Sequence, residues 1–353
     1  MNFAVSRLSV LRFFSQSSFI SSGNSFICRN VNFHRSFQSF FVSQSSNELK
    51  YSDCHFDGFL SSVVRFSALS YIYSTLSRAN SIVSFQFTIF RNIRNQNSVG
   101  GALYCENCNL FISSCIFDGC QATSQGGAFV IKGNILDLKY TCFFNCSATK
   151  LDQSGCNAFY SVNCNGHVYQ SGAYLSSSIY GSGADCLYDF SNLIAVITFW
   201  NSTECHGRSG SSGGAFRSVS PGSYLNYSTV YNSSDYTTIE SWTSSIVIYR
   251  NNLVHNSRNH VCHVWGNNNN YCIYNNCLFL DCHKSIEVSC SSFTFINCIS
   301  DHSYLGITTT SGFTTFPNNR IQACFASLID ATVYKRFSNI KLLLLNGLLV
   351  SLI

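Results

Sequence analysis

Residues 126–146 read GGAFVIKGNILDLKYTCFFNC, and a short signature stands at each end of the stretch. The first is Gly126-Gly127-Ala128-Phe129 and the second is Phe143-Phe144-Asn145-Cys146, with 15 residues between Ala128 and Phe143. The same spacing returns twice. Ala102 of Gly100-Gly101-Ala102-Leu103 lies 15 residues before Phe117, and Ala215 of Gly213-Gly214-Ala215-Phe216 lies 15 before Val230. Two signatures that keep one offset in three places define a structural repeat.

The second signature, apolar–any–Asn–Ser/Cys, runs along most of the chain. Its best copies begin at Phe143, Phe199, Val230, Val254 and Phe295, and looser ones at Phe56, Phe90, Phe117, Val168 and Phe279. In chain order the intervals are 34, 27, 26, 25, 31, 31, 24, 25 and 16. The last interval is short enough to suggest that the Phe295 copy belongs to another frame. Looser glycine copies are Gly172-Ala173-Tyr174 and Asn157-Ala158-Phe159.

A period near 25 with small-residue corners predicts an all-β, single-stranded parallel β-helix of about 11–12 coils. Glycine pairs allow positive φ at a corner, and Ala then starts an inward strand where the neighbouring coil leaves little room. Asn tolerates the left-handed conformation, so Asn92, Asn145, Asn201, Asn232, Asn256 and Asn297 are expected to stack as one ladder, with Gln170 and Asp281 substituting. Short strands such as Leu110–Ile112 and Val196–Phe199 fill the faces. The expected division is irregular N-terminal coils or a cap over 1–50, the β-helix over 51–335, and an apolar tail or cap over 336–353. The long intervals place outward loops near 60–80, 176–190 and 203–213.

Composition agrees with this architecture. Charged residues are 10% and hydrophobic residues 46%, a balance that opposes disorder. The net charge of +5 reflects a scarcity of acid, and the basic residues are scattered. A nucleic-acid groove needs a clustered basic stripe, so nucleic-acid binding is not expected. The 19 cysteines fall largely within the repeat, which favours an internal ladder of buried thiols. A set of disulfides is the alternative.

The first 22 residues lack the apolar run of about 7–15 residues that a signal peptide needs. Leu342 to Ile353 is an uncharged apolar run, shorter than the roughly 20 residues of a spanning helix. It is expected to cap the last coil or to touch a membrane.

Gly-Gly-Ala-Leu/Phe followed by Phe-x-x-Asn/Cys is similar to the repeats of polymorphic outer-membrane proteins. Related repeats with the same Asn-, Ser-, Phe- and Cys-rich texture occur in large sets of protist, trichomonad-like surface proteins. The resemblance covers about 100–300 and implies a right-handed parallel β-helix exposed on a cell surface or secreted. It departs from the family where Ser or Cys follows Asn and where Gly119 replaces an Asn. The family also carries a signal peptide and a C-terminal membrane barrel, and neither is expected from this stretch of sequence.

The leading functional expectation is a non-catalytic, adhesin-like scaffold whose lateral faces contact protein or carbohydrate ligands, with no cofactor. A carbohydrate-active enzyme of the pectin-lyase-like type is the alternative, because the same fold hosts lyases and hydrolases. Three or more Asp, Glu, Arg or His converging in a cleft on one face of adjacent coils would favour it. Asp185 and Asp189 form the best carboxylate pair, while Asp57 reads as a corner residue. A piece of a larger membrane-anchored protein is a further alternative.

Cys105-Glu-Asn-Cys108 has the spacing of half a zinc site, with Cys115 and Cys120 as partners. His260 and His263, with Cys262, Cys272, Cys277, Cys282 and His283, form a looser ligand group. Of the sequons at Asn145, Asn201, Asn226 and Asn232, Asn226 is the one expected to be free for a glycan. Trp200 is expected at an outward or corner position. Trp242, Trp265, Tyr271 and Tyr274 are candidates for a sugar-stacking strip.

Overall fold

The computed structural model describes residues 2–7, 9–10, 19–21, 25–37, 39, 41–43, 48–67, 81–96, 99–149, 157–176, 194–205, 216–218, 223–231, 237–242, 246–249, 252–254, 260–265, 271–280, 287–288 and 292–300. All regular structure among them is strand, and every pairing between strands is parallel. The chain winds as a parallel β-helix. Face one is a series of twelve strands, each paired to the next: Asn2–Ser6, Ser25–Arg29, Glu48–Ser52, Ser81–Gln86, Cys108–Ser113, Ile135–Lys139, Asn165–Tyr174, Ala195–Thr203, Ser223–Asn226, Ile246–Tyr249, Tyr271–Asn275 and Ser292–Ile296. At about 4.8 Å per coil this stack is roughly 55 Å long. The register begins at Asn2–Ser6, inside the stretch 1–50 expected to be irregular. Arg7 and Arg35 occupy corners there, so the Asn–Cys signature does not mark them.

Face two carries the aromatic spine. Phe33, Phe56, Phe90, Phe117 and Phe143 stand in register and are fully buried. Successive ring centroids lie 5.8, 5.6, 4.7 and 5.1 Å apart, with interplanar angles of 15° or less. The next two positions hold Ala173 and Ser202, too small to continue the stack. Trp200 fills the space: it is 1% exposed, and its ring centroid lies 6.2 Å from those of both Phe143 and Phe159. Trp200 is therefore a core residue and does not point outward. Face three contributes Val64, Leu103, Phe129 and Phe159 in register.

The corners explain the opening signature. After each inward residue of face one comes a residue of left-handed φ two positions on: Arg7, Asn30, Asp53, Phe87, Ser114, Tyr140, Gln170, Phe199, Tyr227, Asn276 and Asn297. A second series follows face two, at Arg35, Gly58, Asn92, Gly119, Asn145, Leu175 and Glu204. Asn107 and Asn163 belong to a third corner. Among the described residues, only seven of the eighteen non-glycine residues with positive φ are Asn. A left-handed residue costs roughly 1–2 kcal/mol, but its N–H bonds the neighbouring coil, as Phe87 N–H does to Ser113 O (3.1 Å) and Asn145 N–H to Tyr174 O (3.0 Å). Backbone pairing thus continues around the bend and offsets the strain whatever the side chain.

The expected single Asn ladder is accordingly corrected. Asn92 and Asn145 share one corner, Asn297 and Gln170 lie in another, and Asn201 sits within a strand paired to Gly172 and Thr229. Asn232, Asn256 and Asp281 lie outside the described residues. The copies beginning at Val168 and Phe295 belong to face one, in register with Ile197 and Tyr274 respectively. Gly172-Ala173-Tyr174 lies on face two, while Asn157-Ala158-Phe159 does continue the Gly-Gly-Ala corner.

The residue after the left-handed one is inward, and small hydroxyls or thiols recur there. Each donates to the carbonyl two residues back: Cys54 to Ser52 (3.3 Å), Thr88 to Gln86 (3.1 Å), Cys115 to Ser113 (3.3 Å), Thr141 to Lys139 (2.9 Å), Ser171 to Tyr169 (3.0 Å) and Ser228 to Asn226 (3.1 Å). Cys146 and Cys164 do the same at the other corners. A short donor here satisfies a carbonyl turned by the bend. Ser, Thr and Cys are therefore interchangeable at this position, and much of the cysteine content follows. Among the described residues, the twelve cysteines whose side chains are placed are free thiols, and all but Cys142 are buried.

Candidate functional site

A fold that commits its inward residues to packing leaves chemistry to the outward ones. Face one carries two outward rows. One reads Phe111, Asp137, His167, Val196 and Tyr224 in successive coils. The other reads Ser113, Lys139, Tyr169, Thr198, Asn226 and Tyr249. Between them lies an open groove of about 370 Å³, lined by Phe111, Ile135, Asp137, Lys139, His167, Val168, Tyr169, Val196 and Thr198. Its charges are internally matched, since Lys139 Nζ lies 2.8 Å from Asp137 Oδ2.

An aromatic strip borders the groove. Tyr140, Tyr169, Phe199, Tyr227 and Tyr249 follow one another along the corner, with neighbouring centroids 5.7, 5.6, 5.2 and 5.6 Å apart. Tyr140, Phe199 and Tyr227 are left-handed corner residues, whose side chains the bend turns outward. Tyr224 and Tyr227 remain 43% and 40% exposed.

Face two presents a row of opposite charges in register: His34, Asp57, Arg91 and Asp118. Arg91 Nε donates to Asp118 Oδ2 at 2.8 Å, His34 Nδ1 lies 3.4 Å from Asp57 Oδ2, and Asn92 Nδ2 donates to Asp57 Oδ1 at 3.2 Å. Asp57 is thus an outward strand residue; the corner position beside it is Gly58. Four ionisable residues do converge on adjacent coils, yet they lie on a flat face and are paired with one another.

His55 packs beside this row, its ring 5.3 Å from that of His34. Burial lowers its pKa to about 4, His34 and Arg91 push the same way, and Asp57 opposes them. An unfolded His titrates near 6.5. Between those values the unfolded chain holds a proton that the folded chain does not. Stability therefore falls as pH drops from about 6.5 towards 4, by up to roughly 3 kcal/mol. Urea unfolding across this range should show a shallower pH slope for His55→Gln than for the parent; equal slopes would refute the assignment.

Cys105 and Cys108 lie side by side, but the four-Cys zinc site is not assembled among the described residues. Cys105 and Cys108 are buried, and the Cys105 thiol, with burial, holds the Cys108 thiol well above its ordinary pKa. Cys115 and Cys120 stand at two other corners of the coil. Among the described residues no group of three or more His, Cys, Asp or Glu is placed to hold a metal ion. Burial pushes Cys115 up to about 12, which leaves it a packing residue and not a nucleophile.

His260 and His263 lie on a strand that pairs with Thr237–Trp242, and His263 is in register with Glu240 and Glu287. Trp242 and Trp265 are in register on the same strands. Tyr274, expected in the sugar-stacking strip, is fully buried and stacks on Phe295 at 5.4 Å. Asn226 is half-buried in the outer row of face one. Asp185, Asp189, His283 and Leu342 to Ile353 lie outside the described residues. Among the described residues no helix is long and apolar enough to cross a membrane.

The aromatic strip and the charged row were missed in the sequence because both depend on register between coils of unequal length. One signal was present: Tyr140-Thr141, Phe199-Trp200 and Tyr227-Ser228 each place an aromatic just before an inward corner residue. The chain matches no family model, no curated protein and no solved structure.

Proposed function

We propose that this protein is a non-catalytic, adhesin-like β-helix scaffold, exposed at a cell surface or secreted, that binds partner molecules through its lateral faces. The observation that carries this reading is the half-buried aromatic strip beside the groove on face one, with Tyr227 of the strip and the neighbouring Tyr224 exposed. Stacked coils give an extended surface on which side chains repeat at the coil spacing. The similarity of the Gly-Gly-Ala and Phe-x-x-Asn/Cys repeats to those of polymorphic outer-membrane proteins supports the same placement. Biotinylation of intact cells should label the protein, and purified protein should adhere to cells or extracellular matrix. Recovery in the intracellular fraction alone, with no adherence, would sink the proposal.

The row His34, Asp57, Arg91 and Asp118 favours a second reading, a polysaccharide-cleaving enzyme of the pectin-lyase-like type. Paired carboxylates flanking a basic group supply the residue types that acid–base cleavage of a glycosidic bond uses. Release of new chain ends from a polysaccharide, lost in Asp57→Asn, would replace the scaffold reading with this one.

A further inference from the structure

We propose that the groove and the aromatic strip of face one together bind an extended neutral polysaccharide lying along the axis of the β-helix. This rests on the lateral-face reading above and names the ligand class for it.

Geometry supplies the first argument. Equivalent side chains in successive coils are about 4.8 Å apart, and the strip places its rings at 5.2 to 5.7 Å. An extended chain of 1,4-linked pyranoses advances by nearly the same step per sugar. Each coil can then offer one ring to one sugar, across five coils from Tyr140 to Tyr249. Three of the four ring contacts are edge-to-face, at 85–90°, and one is stacked at 26°, so neighbours cover part of the ring faces, while Tyr224 and Tyr227 keep 43% and 40% of their surface open to solvent.

Chemistry supplies the second. A pyranose has an apolar C–H face and a rim of hydroxyls. Aromatic rings suit the face, as they suit other flat ligands with an apolar surface. Beside the strip, the Asp137 carboxylate accepts hydrogen bonds, the Lys139 ammonium donates them, and His167 and Thr198 add further polar groups. The groove volume lies within the range of ligand sites, and such sites combine apolar walls with a few placed polar groups.

Electrostatics and the backbone exclude the competitors. Lys139 is neutralised by Asp137 at 2.8 Å, so the groove offers no surplus positive charge to a uronate, a sulfated chain or a nucleic acid. A peptide that adds as a strand needs an unpaired sheet edge. The strands that line the groove are paired on both sides within the stack.

Affinity electrophoresis in gels containing hydroxyethyl cellulose, galactomannan, mixed-linkage β-glucan or polygalacturonate tests this. At least one neutral polymer should retard the protein, and polygalacturonate should not. Tyr169→Ala and the double variant Tyr224→Ala/Tyr227→Asn should each weaken retention by about tenfold. Asn is used at 227 because it keeps the left-handed backbone, and Tyr224 is exposed enough to be removed without unfolding. Urea midpoints check that each variant is folded, and Lys132→Gln on face three, at the end of the strand Phe129–Lys132, should be retarded as the parent is. No retardation by any neutral polymer, retardation indifferent to both aromatic variants, or retardation by polygalacturonate alone would each overturn the proposal. Adherence to cells without retardation would overturn the glycan site while leaving the scaffold reading standing; loss of both would remove the two together.

Discussion

Gly127→Ala should abolish the folded state or cost more than about 4 kcal/mol, the range reserved for changes the backbone cannot absorb. Gly126 and Gly127 do different jobs. Gly126 adopts φ +64°, while Gly127 has ordinary φ but no room. A Cβ on Gly127 would collide with the carbonyl oxygen of Asn157 in the next coil, and would come 2.5 Å from the backbone N of Ser147. Gly101 is barred in the same way by the carbonyl oxygen of Gly127. Backbone, and not a side chain that can turn away, stands on the other side of each contact. For Gly127→Ala the coils of Gly127 and Asn157 would have to part, taking with them the bonds to Ala158 O from Ala128 N–H (2.8 Å) and Phe129 N–H (3.4 Å).

Gly58→Ala is the matched control. Gly58 has φ +67°, yet a Cβ there meets nothing closer than the Arg35 Cγ at 3.4 Å, an ordinary contact. Its cost should be the conformational one, about 1–2 kcal/mol. Urea unfolding followed by circular dichroism separates the two. Equal midpoints for Gly127→Ala and Gly58→Ala would show that close approach between coils is not what the Gly-Gly-Ala corner requires.

Phe117→Ala should cost about 3–5 kcal/mol, as large-to-small changes at fully buried aromatic sites do. Phe117 stacks on Phe90 at 4.7 Å and on Phe143 at 5.1 Å, and it also touches Phe129 of face three at 5.7 Å. Its removal opens a cavity in the middle of the spine, where neighbours are held in register by backbone pairing on both sides and cannot close in. Phe117→Leu keeps most of the volume and should cost less than half as much. A loss below about 1 kcal/mol for Phe117→Ala would mean that the coil collapses around the gap, contrary to a rigid stack.

These two positions also show what the period conveyed and where it stopped. Gly-Gly-Ala and Phe-x-x-Asn/Cys at a fixed offset were enough to identify the solenoid, because a coil of nearly constant length must return each residue to the same corner. The frame slipped where loops lengthen the coil. Val168 and Phe295 fit the signature because an apolar residue followed by a bend occurs on face one as well as on face two. Asn201 fits it only by chance, one place after the bend at Phe199 and the inward Trp200. The carbonyl-capping role of Ser, Thr and Cys could be seen only when three corners were placed side by side.

The amino-acid sequence by itself determined that the chain builds parallel coils, that the glycine pairs at 100–101 and 126–127 sit at tight corners, and that most of the cysteines whose side chains are described belong inside. Local sterics and a repeated pattern suffice for that, since both are properties of one coil and its copy. Tertiary structure alone decided which corner each copy occupies, that Trp200 replaces the missing Phe of the spine, and which outward residues meet. Tyr140, Tyr169, Phe199, Tyr227 and Tyr249 are separated by 29, 30, 28 and 22 residues along the chain. They become neighbours because backbone hydrogen bonding fixes the register between coils, whatever length of chain lies between.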